Sequence, residues 1–150
     1  TDLSPADTAQ LKIDNIVGIK EASGSLKQMS DIISMCDSNF SVLSGDDIFT
    51  LPLLAIGGAG IISVISNVAP ADMAGMIDAF NAGDLAKAKA LHYKMSPLID
   101  ALFIEVNPIP VKAALAMMGK IQYEYRLPLC NMSDANYGKL KKVMLDYGLI

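Results

Sequence analysis

One lysine stands in a setting that suggests chemistry. In "NIVGIKEASG", residues 15–24, Lys20 closes an apolar, strand-like run of Ile16, Val17, Gly18 and Ile19 that reads as buried on both faces. A buried ammonium without a partner is costly, so such a lysine reaches water, pairs with an acid or sheds its proton. A strand-terminal lysine ordinarily snorkels to solvent. In a semi-apolar space it becomes a neutral amine, which adds to a carbonyl carbon. Side chains alternate along a strand, which places Gly18 and Lys20 on one face and Val17 and Ile19 on the other. Gly18 then leaves space beneath the lysine, while Glu21 points the opposite way as a supporting charge.

The other polar constellations are weaker. "SGDD" puts Gly45, Asp46 and Asp47 at the end of a strand. Two neighbouring carboxylates suggest a metal, but without a histidine or a third ligand helix capping is the better reading. "GGAG", residues 57–60, lacks the GK[ST] ending of a phosphate loop and reads as a tight turn. His92, the single histidine, sits in an amphipathic helix with no cysteine or histidine nearby. Cys36 and Cys130 are too few and too far apart for a disulfide framework or a CxxC metal site. The nine methionines, among them Met73, Met76, Met117 and Met118, fall on helical core positions and read as packing.

Elements that could position the lysine follow from periodicity and punctuation. "LSPADTAQLK" starts a helix, with Ser4 as N-cap, Pro5 in the first turn and Asp7 beside them. The strand at 15–20 follows, then an amphipathic helix with Leu26, Met29, Ile32, Ile33 and Cys36 on one stripe. "FSVLSG", residues 40–45, is a second strand, and "DDIFTLPLLAIGG" a short helix that Pro52 makes irregular. "AGIISVIS", residues 59–66, is a third strand. Strands alternating with helices predict parallel βαβ units. Beyond residue 69 only helical patterns remain: 70–81 ending at Gly83, a long segment from 84 bent at Pro97, then two helices after "NPIP". The sequence divides at 82/83, with βα units before and a helical subdomain after.

Composition limits the function classes. The chain of 150 residues is 52% hydrophobic and 19% charged, below the usual charged share of about 25%. So apolar a surface points to burial against something else. A net charge of −4 without a basic stripe argues against nucleic acid or an anionic membrane as partner. No run approaches the roughly 18 apolar residues of a membrane span, and the first residues lack a signal-peptide pattern. A cytoplasmic location is expected. Three short parallel strands leave two apolar edges, in "NIVGI" and "GIISV", which predicts that they belong to a larger sheet.

Taken together, "NIVGIKEASG", "LSGDD", "GIISVISN", "NPIPVKAALAMMG" and "RLPL" closely resemble the dihydrodipicolinate synthase (4-hydroxy-tetrahydrodipicolinate synthase) family, in order and along the whole chain. "GIKEASG" alone would also suit sibling pyruvate-dependent aldolases such as N-acetylneuraminate lyase, while "SGDD" and "NPIPVK" favour the dihydrodipicolinate branch. The resemblance implies a partial TIM (β/α)₈ barrel, strands six to eight with their helices over residues 1–82, followed by an all-helical C-terminal subdomain over 83–150. It also implies a class I aldolase-type lyase of lysine and diaminopimelate biosynthesis. Lys20 matches the lysine that forms an imine with pyruvate before attack on aspartate semialdehyde. Gly45 and Ile62 match residues bordering the pyruvate pocket. No cofactor and no metal are implied beyond the covalent lysine–pyruvate imine.

A barrel of this class needs about 250 residues. The resemblance therefore makes this chain the second half, with the threonine, tyrosines and arginine that complete the family's site on the absent first half. Tyr93, Tyr123, Tyr125 and Tyr137 fall in the helical subdomain and are not assigned to replace them. The expected partners are the two substrates, the missing half of the barrel, and further copies in a homotetramer built as a dimer of dimers, with one interface near Leu26 and Ile56. The isolated chain is expected to be inactive. The alternative is a non-catalytic remnant or assembly module, against which the intact "GIKEASG" argues.

Overall fold

The computed structural model describes residues 3–10 and 14–150. Helix α1, Pro5–Ala9, opens as the sequence predicts. Ser4 Oγ accepts from the Asp7 amide (3.1 Å), and the Asp7 carboxylate accepts from the Ser4 amide (3.3 Å), a capping box that occupies two otherwise free donors. Leu11 and Lys12, which the sequence adds to this helix, lie outside the described residues.

Three parallel strands follow in the order β1 (Gly18–Glu21), β2 (Ser41–Ser44) and β3 (Gly60–Ile61). The expected βαβ alternation is therefore present, but two strands differ in extent. β1 begins at residue 18 rather than 15, because β2 offers partners only from Ser41, whose amide donates to the Val17 carbonyl (2.9 Å). β3 has two residues in place of the expected eight. After Ile62 backbone amides turn to side chains: Ser63 Oγ accepts from Ser66 N (2.9 Å), and Asp47 accepts from Val64 and Ile65. Such local acceptors compete with the ladder and end the strand in a 3₁₀ turn, Ile65–Asn67.

Helices α2 (Leu26–Met35) and α3 (Thr50–Ala55) cover one sheet face. Met29, Ile32, Val42 and Leu53 form the core there, with Ile19 packed against them. Each such buried side chain contributes about 1.5–3 kcal/mol. Of the predicted α2 stripe, Met29 and Ile32 are buried, Ile33 and Cys36 are half-buried, and Leu26 is exposed. Pro52 falls in the first turn of α3, where its missing N–H costs little. The opposite sheet face is bare, with Lys20, Ala22, Ser41 and Ile62 exposed. β1 is thus covered on one side only, contrary to the expectation of burial on both.

Among the described residues no strand follows Ile61. Helices α4 (Pro70–Asn81), α5 (Leu85–Leu102), α6 (Ile109–Met117) and α7 (Asp134–Tyr147) share a core in which Met73, Met76, Met95, Leu98, Leu102, Leu140 and Met144 are fully enclosed. Leu51 of α3 and Ile65 beyond β3 belong to the same core, so the helices pack directly against the ends of the βα units. Pro97 lies inside α5, and Tyr93, whose carbonyl it leaves without an intrahelical partner, is exposed.

Gly18 has a different purpose from the one its sequence position suggests. A Cβ there would stand 2.4 Å from the Ser41 carbonyl oxygen, so the glycine lets β1 approach β2 and does not make room for Lys20. Gly18→Ala is expected to destabilise the fold by about 1–3 kcal/mol, because backbone must move. Gly138 lies in the middle of α7, and a methyl group added there would meet nothing within 4 Å. Its substitution by alanine should instead stabilise the fold by about 0.5–1 kcal/mol. Urea unfolding of the two variants checks this opposition in sign.

Candidate active site

The parallel register decides which side chains meet. Lys20 pairs with Leu43 and Leu43 with Gly60, and in the next row Glu21, Ser44 and Ile61 align. One residue further, the Gly45 amide donates to the Glu21 carbonyl (2.7 Å) and the Ile62 amide to the Ser44 carbonyl (2.9 Å). Alternation then puts Lys20, Gly45 and Ile62 on the same bare face at the carboxyl ends of three adjacent strands. The three residues singled out from the sequence are brought together.

Gly45 makes the space that alternation along the strand had assigned to Gly18. A Cβ on Gly45 would lie 2.8 Å from Lys20 Cε and 2.6 Å from the Ala22 Cβ, so the lysine stem runs across the glycine. Lys20 is exposed in this chain, with the semi-apolar enclosure expected of it supplied on one side only. A cleft of about 320 Å³ beside β1 is lined by Leu3, Ile19, Lys20, Glu21 and Gln28. Exposure here follows from the uncovered face and the unpaired edge of β1, not from the lysine's own position in the strand.

Polar groups back the site from the covered face. Glu21 is 4% exposed; its Oε1 accepts from the Ser23 amide (2.9 Å) and Gln28 Nε2 (3.3 Å), while Oε2 has no partner among the described residues. Ser44, fully buried, donates through Oγ to the Asp46 carbonyl (2.7 Å) and accepts from the Asp46 amide (3.1 Å). Asp46 caps the 3₁₀ turn Asp47–Phe49 by accepting from the Ile48 amide (3.3 Å), which is the capping role. Asp47 is 1% exposed, and its Oδ2 accepts from the Val64 (3.0 Å) and Ile65 (3.2 Å) amides. The sequence missed this bond, because nothing in "SGDD" points to acceptance from amides 17 and 18 residues away.

The remaining candidates serve the fold. Gly57 and Gly60 of "GGAG" adopt φ of 101° and 154°, making the tight turn into β3. His92 is half-buried, and burial holds its imidazole pKa below the usual value. Tyr123 packs edge to face against Tyr125 and at a tilt against Tyr137, with ring centroids 5.5 Å apart in both pairs; the Tyr125 hydroxyl donates to the Ile109 carbonyl (2.9 Å) and that of Tyr123 accepts from the Met132 amide (3.2 Å). Cys36 and Cys130 are free thiols. Among the described residues no three His, Cys, Asp or Glu side chains converge on a metal position, and no helix is long and apolar enough to cross a membrane.

Burial pushes the Asp47 carboxyl above the usual carboxylate range; the nearby Ser63 hydroxyl and the Ile65 and Val64 amides draw it back in part, and Asp46 adds to the rise. A raised carboxyl pKa favours the protonated folded state. The stability from this group is present at acid pH and is lost as pH rises through the raised value. The difference in unfolding free energy between the native chain and Asp47→Asn should therefore shift in favour of the native chain on acidification across that range. Urea titrations at a series of pH values measure it, and a constant difference would contradict the assignment.

The profile of the Dihydrodipicolinate synthetase family matches residues 1–146. A 4-hydroxy-tetrahydrodipicolinate synthase from Syntrophus aciditrophicus is 67% identical over 150 residues, covering 99% of this chain and 52% of the relative. The crystal structure of a dihydrodipicolinate synthase from Thermotoga maritima superposes with a TM-score of 0.95 at 43% identity, covering 97% of this chain and 51% of that one. A chloride-inhibited dihydrodipicolinate synthase from Acinetobacter baumannii, complexed with pyruvate, gives a TM-score of 0.94 at 39% identity over 99% of this chain and 52% of that one. The chain spans about half the length of the relatives it matches.

Proposed function

This chain belongs to the dihydrodipicolinate synthetase family, and from that premise we propose that it carries the imine-forming half of a 4-hydroxy-tetrahydrodipicolinate synthase. The observation that carries the reading is the placement of Lys20, Gly45 and Ile62 on one uncovered sheet face at the strands' carboxyl ends. Barrel chemistry sits at that end of the strands. In this reading β1, β2 and β3 are strands six, seven and eight of a (β/α)₈ barrel, residues 1–82 are its second part, and 83–150 are a helical extension. The bare face would be the barrel interior, and the free edge of β1 would receive the preceding strand of the missing half.

The chemistry is that of a class I aldolase. The neutral Lys20 amine adds to the keto carbon of pyruvate, and loss of water leaves an imine. Removal of a methyl proton gives an enamine whose carbon attacks the aldehyde of aspartate semialdehyde. The product's own amine then attacks the imine carbon, closing the ring and releasing Lys20. No cofactor enters, because the imine itself draws electrons from the reacting carbon. The lysine stem rests on Gly45, on the same sheet face as Ile62. The reaction would supply lysine and diaminopimelate biosynthesis in the cytoplasm.

Borohydride reduction in the presence of pyruvate should add a stable mass to the peptide containing Lys20, and Lys20→Ala should add none. Gly45→Ala, whose methyl would occupy the path of Lys20 Cε, should lower trapping roughly tenfold to a hundredfold by misplacing the amine. Labelling at Lys27 instead would reject the assignment.

Proton transfers in this reaction need positioned acids and bases, each worth roughly 10²–10⁴-fold. The chain alone should therefore show no measurable condensation, and a separately produced first half of the barrel should restore it. The reconstituted protein should sediment as a tetramer, with Leu26→Asp shifting it to a smaller species. Full turnover by the 150-residue chain alone would overturn this account.

A further inference from the structure

We infer that Asp47 is a positioning residue for this site, acting through the sheet from its covered face. The inference rests on the functional reading above. Burying a carboxylate is costly, and here one of its oxygens, Oδ1, has no hydrogen-bond partner among the described residues. Cheaper devices exist for starting a three-residue 3₁₀ turn, so the position needs a further explanation.

That explanation lies in what the carboxylate joins. Asp47 stands two residues beyond Gly45, in the connection leaving β2. Its Oδ2 holds the amides of Val64 and Ile65, the first of which stands two residues beyond Ile62 in the connection leaving β3. One carboxylate thus ties together the loops that follow both site positions. β3 contributes only Gly60 and Ile61 to the ladder, and the last bond to the sheet is from Ile62 N to the Ser44 carbonyl. Between that bond and the enclosed Ile65 side chain, the path of Ile62 and Ser63 is held by the Asp47 acceptor together with the bond from the Ser66 amide to Ser63 Oγ. The Thr50 hydroxyl, itself buried, donates to the Asp47 carbonyl (2.8 Å) and helps keep the aspartate in place. Ile62 is 48% exposed and is not among the residues of either core, so its position relative to Lys20 is inherited largely from the clamp.

The test uses Asp47→Ala and Asp47→Asn, with Ser133→Ala as a control that removes a helix cap at the far α7. Each is prepared in the chain joined to its complementary half. Hydrogen exchange of the Val64 and Ile65 amides should accelerate roughly tenfold or more in Asp47→Ala and less in Asp47→Asn, which keeps an acceptor oxygen. The pyruvate concentration giving half-maximal borohydride trapping at Lys20 should rise roughly tenfold to a hundredfold in Asp47→Ala, with near-normal trapping at saturation. Ser133→Ala should leave both readouts unchanged even if it lowers stability equally. Half-saturation in Asp47→Ala within twofold of the native protein, despite accelerated exchange, would reduce Asp47 to fold support and overturn the inference. Unchanged exchange would overturn the clamp directly. Absence of trapping in the native protein would instead overturn the functional reading, and exchange would still decide the clamp. If Asp47→Ala does not fold, the same comparisons are made with Asp47→Asn, where smaller shifts of the same sign are expected.

Discussion

Everything at the candidate site depends on β2 being paired on both sides. It is the middle strand of the sheet, and the amides and carbonyls of Ser41–Ser44 bind both neighbours in parallel register. Buried backbone groups must find partners, so the register cannot drift without leaving several of them unsatisfied. That requirement fixes Lys20 beside Leu43 and sets Gly45 and Ile62 two rows higher, on the same face. A slip of one residue would turn Lys20 into the helix-covered core and Glu21 out to the bare face.

The two faces of the sheet differ in character. Its covered face is apolar under Ile19 and Val42 but becomes polar toward the strand ends, with Glu21, Ser44 and Asp47 nearly inaccessible. All three accept from loop amides, and Asp47 also connects elements distant in sequence. The other face carries the lysine and little else that is charged. Fixed polar groups thus stand behind the candidate site and the lysine in front. The cost of that arrangement shows in the two buried carboxylate oxygens, Glu21 Oε2 and Asp47 Oδ1, that lack partners among the described residues.

The helical part is more than an appendage. Leu51 and Ile65, which belong to the connections around β3, are enclosed in the same core as Met95, Leu98 and Met144. Asp72 links three of the helices: Lys94 Nζ donates to it at 2.7 Å, and the Tyr147 hydroxyl also donates. Burial raises the Asp72 carboxyl, but the Lys94 and Tyr147 hydrogen bonds and the Lys94 charge outweigh it and hold the group ionised to lower pH. Glu105 similarly gathers Asn136 and Ser133 at the start of α7. A packed helical body therefore buttresses the loops that end the sheet.

Local sequence determined the elements whose signals are local. The Ser4 capping box, the α2 stripe, the glycine turn before β3 and the helices after residue 69 all rest on contacts within a few residues, which periodicity and capping rules describe. It also determined the lysine, because an ammonium at the end of an apolar run is visible without a fold. Strand extent was decided by tertiary structure, since a strand exists only where a neighbour offers partners, and β3 stops where Ser63 and Asp47 outcompete the ladder. The roles of the glycines were decided there too: the space for Lys20 comes from Gly45, 25 residues away, while Gly18 serves the approach of two backbones. Asp47 could not be assigned from its neighbours for the same reason. Its function lies in amides 17 and 18 residues further on, brought within 3.2 Å only when the parallel sheet closes the distance.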